Sequence, residues 1–390
     1  SRGLGDVYKR QYLDFGHTNE NVTNYSRDLD LRTAVSHVKY DYDGTTYTRE
    51  YFVSYPDKTV VIKLDASQAG KIDFTLRPTI PYIQEYAAVP GDGASKEGTV
   101  VASDDGSILL SGHMGYFNID FEGQYKVIPT GGSLSASNSV NENGETDGGA
   151  ITVNGADSCY IVITLGTNYE LSSNIFLESD PKKKLSHASE TAHEKVSREM
   201  QNALSYDYET LKARHIEDYS NIFGRVSLNL GIDKNDLNKT TDELLNEYKQ
   251  GTYSSYLETL YFQYGRYLLI ASSRKGSLPA NLQGVWNRYN FSPWSAGFWH
   301  NINIQMNYWP AFNTNMAETF EAYVDFNRAY MPKAEADTTK FVKQYNPTKL
   351  NKDGGNGWSI STGAYPFEVN GMRSPGNLGF TTKLFWDYYD

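Results

Sequence analysis

VSHVKYDYDGTTYTREYFVS, residues 35–54, consists of two runs of alternating apolar and polar residues, 35–42 and 46–54, hinged at Tyr42-Asp43-Gly44-Thr45. Alternation with period two puts every second side chain on one face of a strand. An Asp-Gly pair between two such runs is the sequence of a tight hairpin turn, because both central residues must adopt positive φ. The stretch predicts an antiparallel hairpin with one apolar face. The pattern recurs at residues 59–64, 71–76, 100–102, 107–114, 116–122 and 160–164. Short strands at this spacing from Tyr12 to about Leu171 predict a β-sandwich, with the sandwich domain set at residues 12–185. The Gly- and Asn-rich piece 131–149 predicts a long surface loop. Cys159, the single cysteine, lies in the last strand run, so an intrachain disulfide is excluded and a small buried core residue is expected.

Composition changes at Ser179-Asp180-Pro181. Residues 186–223 have helical character, with Leu204, Tyr208, Leu211, His215 and Tyr219 spaced three or four apart to give one apolar stripe. They set a helical linker at 186–225. A polar stretch, 235–251, precedes residues 256–273, which are apolar almost all round and predict a helix buried on every side. Further helices are predicted at 302–308, 316–331 and 332–345, the last with Pro332 in its first turn. The run 383–389 also reads as helix without a stop signal, so the chain is expected to continue beyond it. Asp6-Val7-Tyr8-Lys9-Arg10-Gln11 is what translation of a transposon end used in sequencing-library preparation would give, so residues 1–11 are expected to be an assembly artefact.

The 390 residues are 39% hydrophobic with a net charge of −11. Their mean hydropathy is −0.57 and their pI about 5.2. That balance disfavours nucleic acid as a partner, since phosphate binding needs a basic face and Lys182-Lys183-Lys184 is the only short basic run. No run is long and apolar enough for a membrane span. Neither a cofactor nor a metal is expected: His300 has no ligating partner at a familiar spacing. Asn21, Asn24, Asn238 and Asn290 begin Asn-x-Ser/Thr triplets, to which no glycan is assigned.

The chemistry concentrates in residues 278–310, LPANLQGVWNRYNFSPWSAGFWHNINIQMNYWP, which are rich in amides and tryptophans. No Asp or Glu occurs anywhere from 259 to 317. Carboxamides donate and accept at once, so they read sugar hydroxyls, and indole faces offer apolar platforms to pyranose C–H edges. A carbohydrate partner, an oligosaccharide or glycan, is expected. A glycosidase built on this stretch must take its acid and base from elsewhere.

Residues 278–287 (LPANLQGVWN) and 301–310 (NINIQMNYWP) resemble the signature of glycoside hydrolase family 95. Weaker matches at 12–17, 215–231 and 260–273 follow in the family's order. Members are inverting α-L-fucosidases with some α-L-galactosidases. The resemblance implies an N-terminal β-sandwich, a helical linker and, at 226–390, the first part of an (α/α)6 barrel. An extracellular, cell-surface or periplasmic location is likewise implied.

Inverting hydrolysis needs an acid for the leaving oxygen and a base for water on the opposite face. The resemblance implies that Asn301 and Asn303 hold the water through their amide oxygens, polarised by an Asp, while a Glu is the acid. Motifs for that Asp and Glu match nothing in this sequence. Residues two apart on a helix point about 200° away from each other, so the pair is expected at a loop-to-helix junction. Helix capping is the competing reading of both asparagines. Asn281, Gln283, Trp286, Trp299, His300 and Asn307 are candidate sugar contacts, against loop bracing for the amides and core packing for the rings. Where many members carry a His-Asn-Thr-Asp type of stretch, this sequence has Gly357-Trp358-Ser359-Ile360-Ser361-Thr362-Gly363. Glu318, Glu321 and Asp325 suit a helix surface, and Glu368 is the one local carboxylate placed near a pocket. The alternatives to an α-1,2-fucosidase are an α-L-galactosidase, a carbohydrate-binding fragment without catalysis, and a phosphorylase. The last would need converging cations, and only Arg274, Lys275 and Arg288 lie near the signature.

Overall fold

The computed structural model describes residues 10–80, 96–140, 146–286, 293–373 and 375–389. The chain forms two compact units that divide after Asp218.

The first unit is a sandwich of two antiparallel sheets. Strands β1 (Arg10–Asp14), β6 (Ile72–Thr79), β11 (Thr146–Ala156) and β10 (Ser133–Val140) lie side by side in that order. The larger sheet runs β2 (Thr23–Asp30), β3 (Val35–Tyr42), β4 (Thr45–Ser54), β5 (Thr59–Ala66), β12 (Ser158–Thr167), β9 (Ile119–Thr130), β8 (Ser107–Met114) and β7 (Lys96–Ala102). Asp43 and Gly44 have φ of 48° and 72°, as the turn sequence between β3 and β4 requires. Phe74, Leu76, Ile151 and Val153 from the small sheet and Ile108, Leu110, Tyr125 and Val127 from the large one are buried. Cys159 is buried with them, and loss of hydration pushes its thiol up to about 12, which leaves it unreactive.

The described parts of 131–149 are mostly strand rather than loop. They contain β10 and the start of β11, paired from Ser133↔Asn154 to Val140↔Thr146. The strand escapes a hydrophobicity reading because its inner positions are Leu134 and Ala136 among serines. Its Asn138 side chain both accepts from Ala102 N–H (2.8 Å) and donates to Ala102 C=O (2.9 Å), replacing backbone pairing at that edge.

After the short α1 (Ser173–Leu177) come α2 (Ala192–Leu204) and α3 (Tyr208–Phe223). The predicted stripe is split between them. Leu204 ends α2 and is exposed, whereas Tyr208, Leu211 and His215 lie buried along α3. Met200, Ala203, Tyr208 and Leu211 pack on Val35, Phe52, Val61 and Val162 of the large sheet. The helices predicted as a linker thus cover the sandwich. This explains why β12 is buried at consecutive positions: Ile161 and Ile163 face the sandwich interior, and Val162 faces the helices.

The second unit is helical, as expected for part of an (α/α)6 barrel. It holds α4 (Thr241–Lys249), α5 (Ser255–Ser272), α6 (Asn303–Asn313), α7 (Glu321–Tyr345) and α8 (Pro375–Tyr389), with one hairpin of β13 (Ser361–Tyr365) and β14 (Glu368–Arg373). Helix α4 falls in the stretch read as merely polar. Its start is fixed by a reciprocal cap in which Thr240 Oγ1 accepts from Glu243 N–H and Glu243 accepts from Thr240 N–H. Helix α5 is not buried all round: Leu257, Arg266, Leu269 and Ile270 face inward, but Tyr261 is 80% exposed. Tyrosines supplied the apolar character of its outer face, and their hydroxyls tolerate water.

The two helices predicted over 316–345 are largely one, with Pro332 inside α7. Arg328, the residue whose carbonyl loses its partner, is exposed, as is Pro332, so water can satisfy that carbonyl while Tyr323, Phe326, Tyr330 and Ala334 stay buried. Arg266, 1% exposed, lies between two helix ends. Its guanidinium donates to the carbonyls of Ile222 and Phe223 at the end of α3, to that of Val226 just beyond it, and to that of Thr314 after α6.

Candidate functional site

The carboxylate-free stretch forms a loop that reaches α6 through unusual backbone. Trp294, Ser295, Ala296, Trp299 and Ile302 all have positive φ, and Ile302 lies at φ 137°, ψ −35°. Such conformations cost on the order of 1–3 kcal/mol each and persist only where the surroundings over-determine them. Residues 298–300 run along β13, with Phe298 N–H donating to Ala364 C=O (2.9 Å) and His300 N–H to Thr362 C=O (2.7 Å). Gly297 is needed for close approach: a Cβ there would lie 2.9 Å from Trp299 Nε1 and 3.0 Å from the Tyr365 ring.

Asn301 sits in the turn before α6, and Asn303 is the first residue of the helix; both are exposed. Capping is not their role. The capping position belongs to Ile302, and neither asparagine amide bonds to any described residue. Gln305 does that work from below, accepting from Ile302 N–H (3.1 Å) and donating to His300 C=O (2.8 Å). Asn303, Met306 and Trp309 form an exposed strip on α6.

Aromatic rings cluster in the loop that leads to the asparagines. Trp299 Nε1 donates to Trp294 C=O (3.2 Å), the two indoles meet edge-to-face at 6.0 Å, and Tyr365 meets Trp299 at 6.4 Å. Trp294 is 74% exposed.

The other candidates separate from this group. His300 is fully buried, with its ring against Tyr323 and Phe326, so as placed it cannot touch a sugar. Desolvation pushes its pKa down to about 3, which keeps the ring neutral. Asn281 Oδ1 accepts from Gln283 N–H (2.8 Å), closing a turn whose ends pair as Asn281 and Gly284. Asn307 Nδ2 donates to the carbonyls of Ala280 (3.0 Å) and Asn281 (3.1 Å). Both amides therefore brace the loop. Gln283 is half-buried in that turn, and Trp286 is exposed beside Tyr267 at 6.4 Å. Gly284 has φ 66°, and a Cβ would lie 2.8 Å from the Trp286 ring.

Tyr308 ties this loop to the core. Its hydroxyl accepts from Ala280 N–H (3.0 Å) and donates to Ser273 Oγ (2.6 Å), which donates to Thr319 C=O (2.7 Å). Burial pushes the phenol up to about 12, so it remains a donor.

Of the nearby carboxylates, Glu318 pairs with Arg225 at 2.8 Å, Glu321 with Lys275 at 3.4 Å and Asp325 with Arg328 at 3.6 Å. Glu368 accepts from Asn370 Nδ2 (3.1 Å) within β14. Asn287, Arg288 and Asn290 lie outside the described residues. Among the described residues no group of three or more His, Cys, Asp or Glu could hold a metal, and no helix is long and apolar enough to cross a membrane.

Trp294 is one of the tryptophans of residues 278–310 expected to offer sugar platforms, whereas nothing in the sequence marked Tyr365 or Gln305 as parts of the site. Gln305 stands three residues after an isoleucine, so no capping pattern marks it.

Residues 207–389 match the glycosyl hydrolase family 95 catalytic domain, and residues 2–172 match the glycosyl hydrolase family 65 N-terminal domain. "Probable alpha-fucosidase A" of Aspergillus niger is 28% identical over 401 residues, covering 100% of this chain and 46% of the relative. "Alpha-L-fucosidase 2" of Arabidopsis thaliana is 31% identical over 333 residues, covering 81% and 37%. The chain thus spans less than half the length of these relatives. In fold it is similar to "Putative kojibiose phosphorylase from human microbiome", with a TM-score of 0.54 and 10% identity over 94% of this chain and 43% of that one.

Proposed function

From a chain that belongs to glycosyl hydrolase family 95, we propose that the full-length protein hydrolyses terminal α-L-fucosyl linkages of glycans, α-1,2 linkages best, with inversion. The observation that carries this reading is the pair of exposed asparagine amides, Asn301 and Asn303, free of bonds to the described residues and presented on strained backbone at the end of a loop that holds two packed tryptophans. Amide oxygens with no donor among the described residues can accept from water. On this reading the attacking water lies at the start of α6, an eleven-residue helix, whose first turn carries a partial positive charge that stabilises a developing hydroxide.

An amide oxygen by itself is a negligible base, so the reading requires an Asp that hydrogen-bonds the amide nitrogens and a Glu that protonates the leaving oxygen. Glu318, Glu321 and Asp325 are engaged in ion pairs, and neither role is assigned to them. The exposed indole of Trp294, with the half-buried Trp299 against it, suits the apolar side of a deoxy sugar, whose C6 is a methyl group. L-Galactose differs from L-fucose only by a hydroxyl there, and α-L-galactosides are the main competing substrates.

The test is a hydrolysis screen on the full-length gene product with aryl α-L-fucoside, aryl α-L-galactoside and α-1,2-fucosylated oligosaccharides. The anomer first released is followed by proton NMR. Fucose released as the inverted anomer is expected. Release from another α-glycoside and from none of the fucosides would overturn the reading.

A further inference from the structure

The polar groups around Asn301 converge on one buried side chain. Gln305 is 0% exposed, and both ends of its amide are used. Oε1 accepts from Ile302 N–H at 3.1 Å, while Nε2 donates to His300 C=O at 2.8 Å and to Thr381 Oγ1 at 3.3 Å. The two backbone groups it grips are the ones on either side of Asn301. Thr381 is also within 3.3 Å of the Tyr323 hydroxyl, so the bracket is anchored on both α7 and α8. On its other side the turn is fixed by His300 N–H donating to Thr362 C=O and by the His300 ring packed on Tyr323 and Phe326.

What is held this firmly is a conformation that the local sequence resists. Ile302 is β-branched and lies at φ 137°, a region such residues rarely enter without external constraint. Relaxation of Ile302 would rotate the peptide that joins Asn301 to Asn303 and change the spacing of their amides. An ordinary N-terminal cap would satisfy the first turn without holding a strained residue. Here the isoleucine has no side-chain acceptor, so only the glutamine's half of the reciprocal cap exists.

We infer that Gln305 is a positioning residue: through the His300–Ile302 turn it sets the separation of Asn301 and Asn303 and so the placement of the attacking water. This rests on the proposed role of the asparagine pair, but the bracket can be tested without it. Gln305→Met keeps the volume and removes all three hydrogen bonds. Gln305→Glu keeps the acceptor for Ile302 and loses the donors.

In the full-length protein, Gln305→Met should lower kcat by about 10–100-fold with KM within about threefold, because water placement matters mainly in the transition state. Hydrogen exchange of the Ile302 amide should speed up at least about tenfold. Gln305→Glu should keep more of that protection than Gln305→Met while losing comparable activity. If Gln305→Met does not fold, Thr381→Val removes the anchor and leaves the turn untouched; faster Ile302 exchange with a lower kcat is again expected. Unchanged Ile302 exchange, or a loss confined to KM, in whichever variant folds would overturn the inference. Wild-type protein that cleaves no fucoside would defeat the functional reading alone, since the exchange measurement still decides the bracket.

Discussion

Replacing Arg266 by methionine should destabilise the helical unit by about 2–4 kcal/mol. Of the four carbonyls its guanidinium holds, two keep another donor: Val226 C=O retains Gln263 Nε2 at 3.2 Å, and Ile222 C=O retains Arg225 N–H at 3.3 Å. The carbonyls of Phe223 and Thr314 lose their bonds at 2.7 Å and 3.4 Å and are left with no donor among the described residues. A buried carbonyl without a partner costs about 1–3 kcal/mol, so two cost about 2–6 kcal/mol. Against that stands the relief of no longer burying a cation that has no carboxylate partner among the described residues and whose Nε is unpaired among them. Methionine fills much of the same volume, so little cavity cost is added. For a unit of this size the melting temperature should fall by about 5–15 °C. Arg266→Lys should recover only part of the loss, since an ammonium cannot span both helix ends. The measurement is urea unfolding followed by far-UV circular dichroism, with calorimetry for the midpoint. If Arg266→Met changes stability by less than about 0.5 kcal/mol, the carbonyls do not depend on this side chain and the reasoning fails.

In the full-length protein, Asn303→Ala and Asn301→Ala should each reduce kcat by about 10²–10³-fold with little change in KM, as for loss of one positioned polar group; unchanged steady-state rates in both would return them to a local structural role. His300, neutral when folded with a pKa of about 3 against the unfolded value of 6.5, takes up a proton on unfolding once the pH drops below 6.5. Its contribution is therefore intact above pH 6.5 and is lost as pH falls toward 3, about 2 kcal/mol between pH 7 and 5. His300→Leu should flatten that part of the urea-midpoint profile, and a slope equal to wild type would contradict the assignment. Tyr308→Phe strands the buried Ala280 N–H and should cost about 1–3 kcal/mol, read as a lowered denaturation midpoint together with faster proteolysis between Ala280 and Trp286; resistance equal to wild type would refute the tether.

Strands with one buried face were legible because alternation survives in β3, β4, β6 and β8. It fails where burial is two-sided or absent. β10 buries almost nothing and rests on its partner strand, and the β13–β14 hairpin has only Pro366-Phe367 for a turn. Helix α7 shows the reverse case, in which a proline that reads as a boundary is carried on an exposed face. At the site, the motif located Asn301 and Asn303 at a loop-to-helix junction. Amide and aromatic content alone could not sort a braced loop from a binding surface. Asn281 and Asn307 have the same side chain as Asn301, and only the backbone groups beside them show that their amides are already committed.

Strand β12 bears on how the sandwich is made as well as on how it stands. It pairs antiparallel with both β5 and β9, joining a meander completed by Ala66 to one completed by Thr130. On a ribosome adding roughly 5–20 residues per second, the free edge of β5 waits for Ser158 during about 90 further residues, or roughly 5–20 s. That edge reads Thr59-Val60-Val61-Ile62, a short, uncharged, β-branched segment of the kind that recruits other chains. The nascent protein should thus be most vulnerable to self-association in the interval before residues 158–167 emerge, and holding that edge is the task that falls to a chaperone.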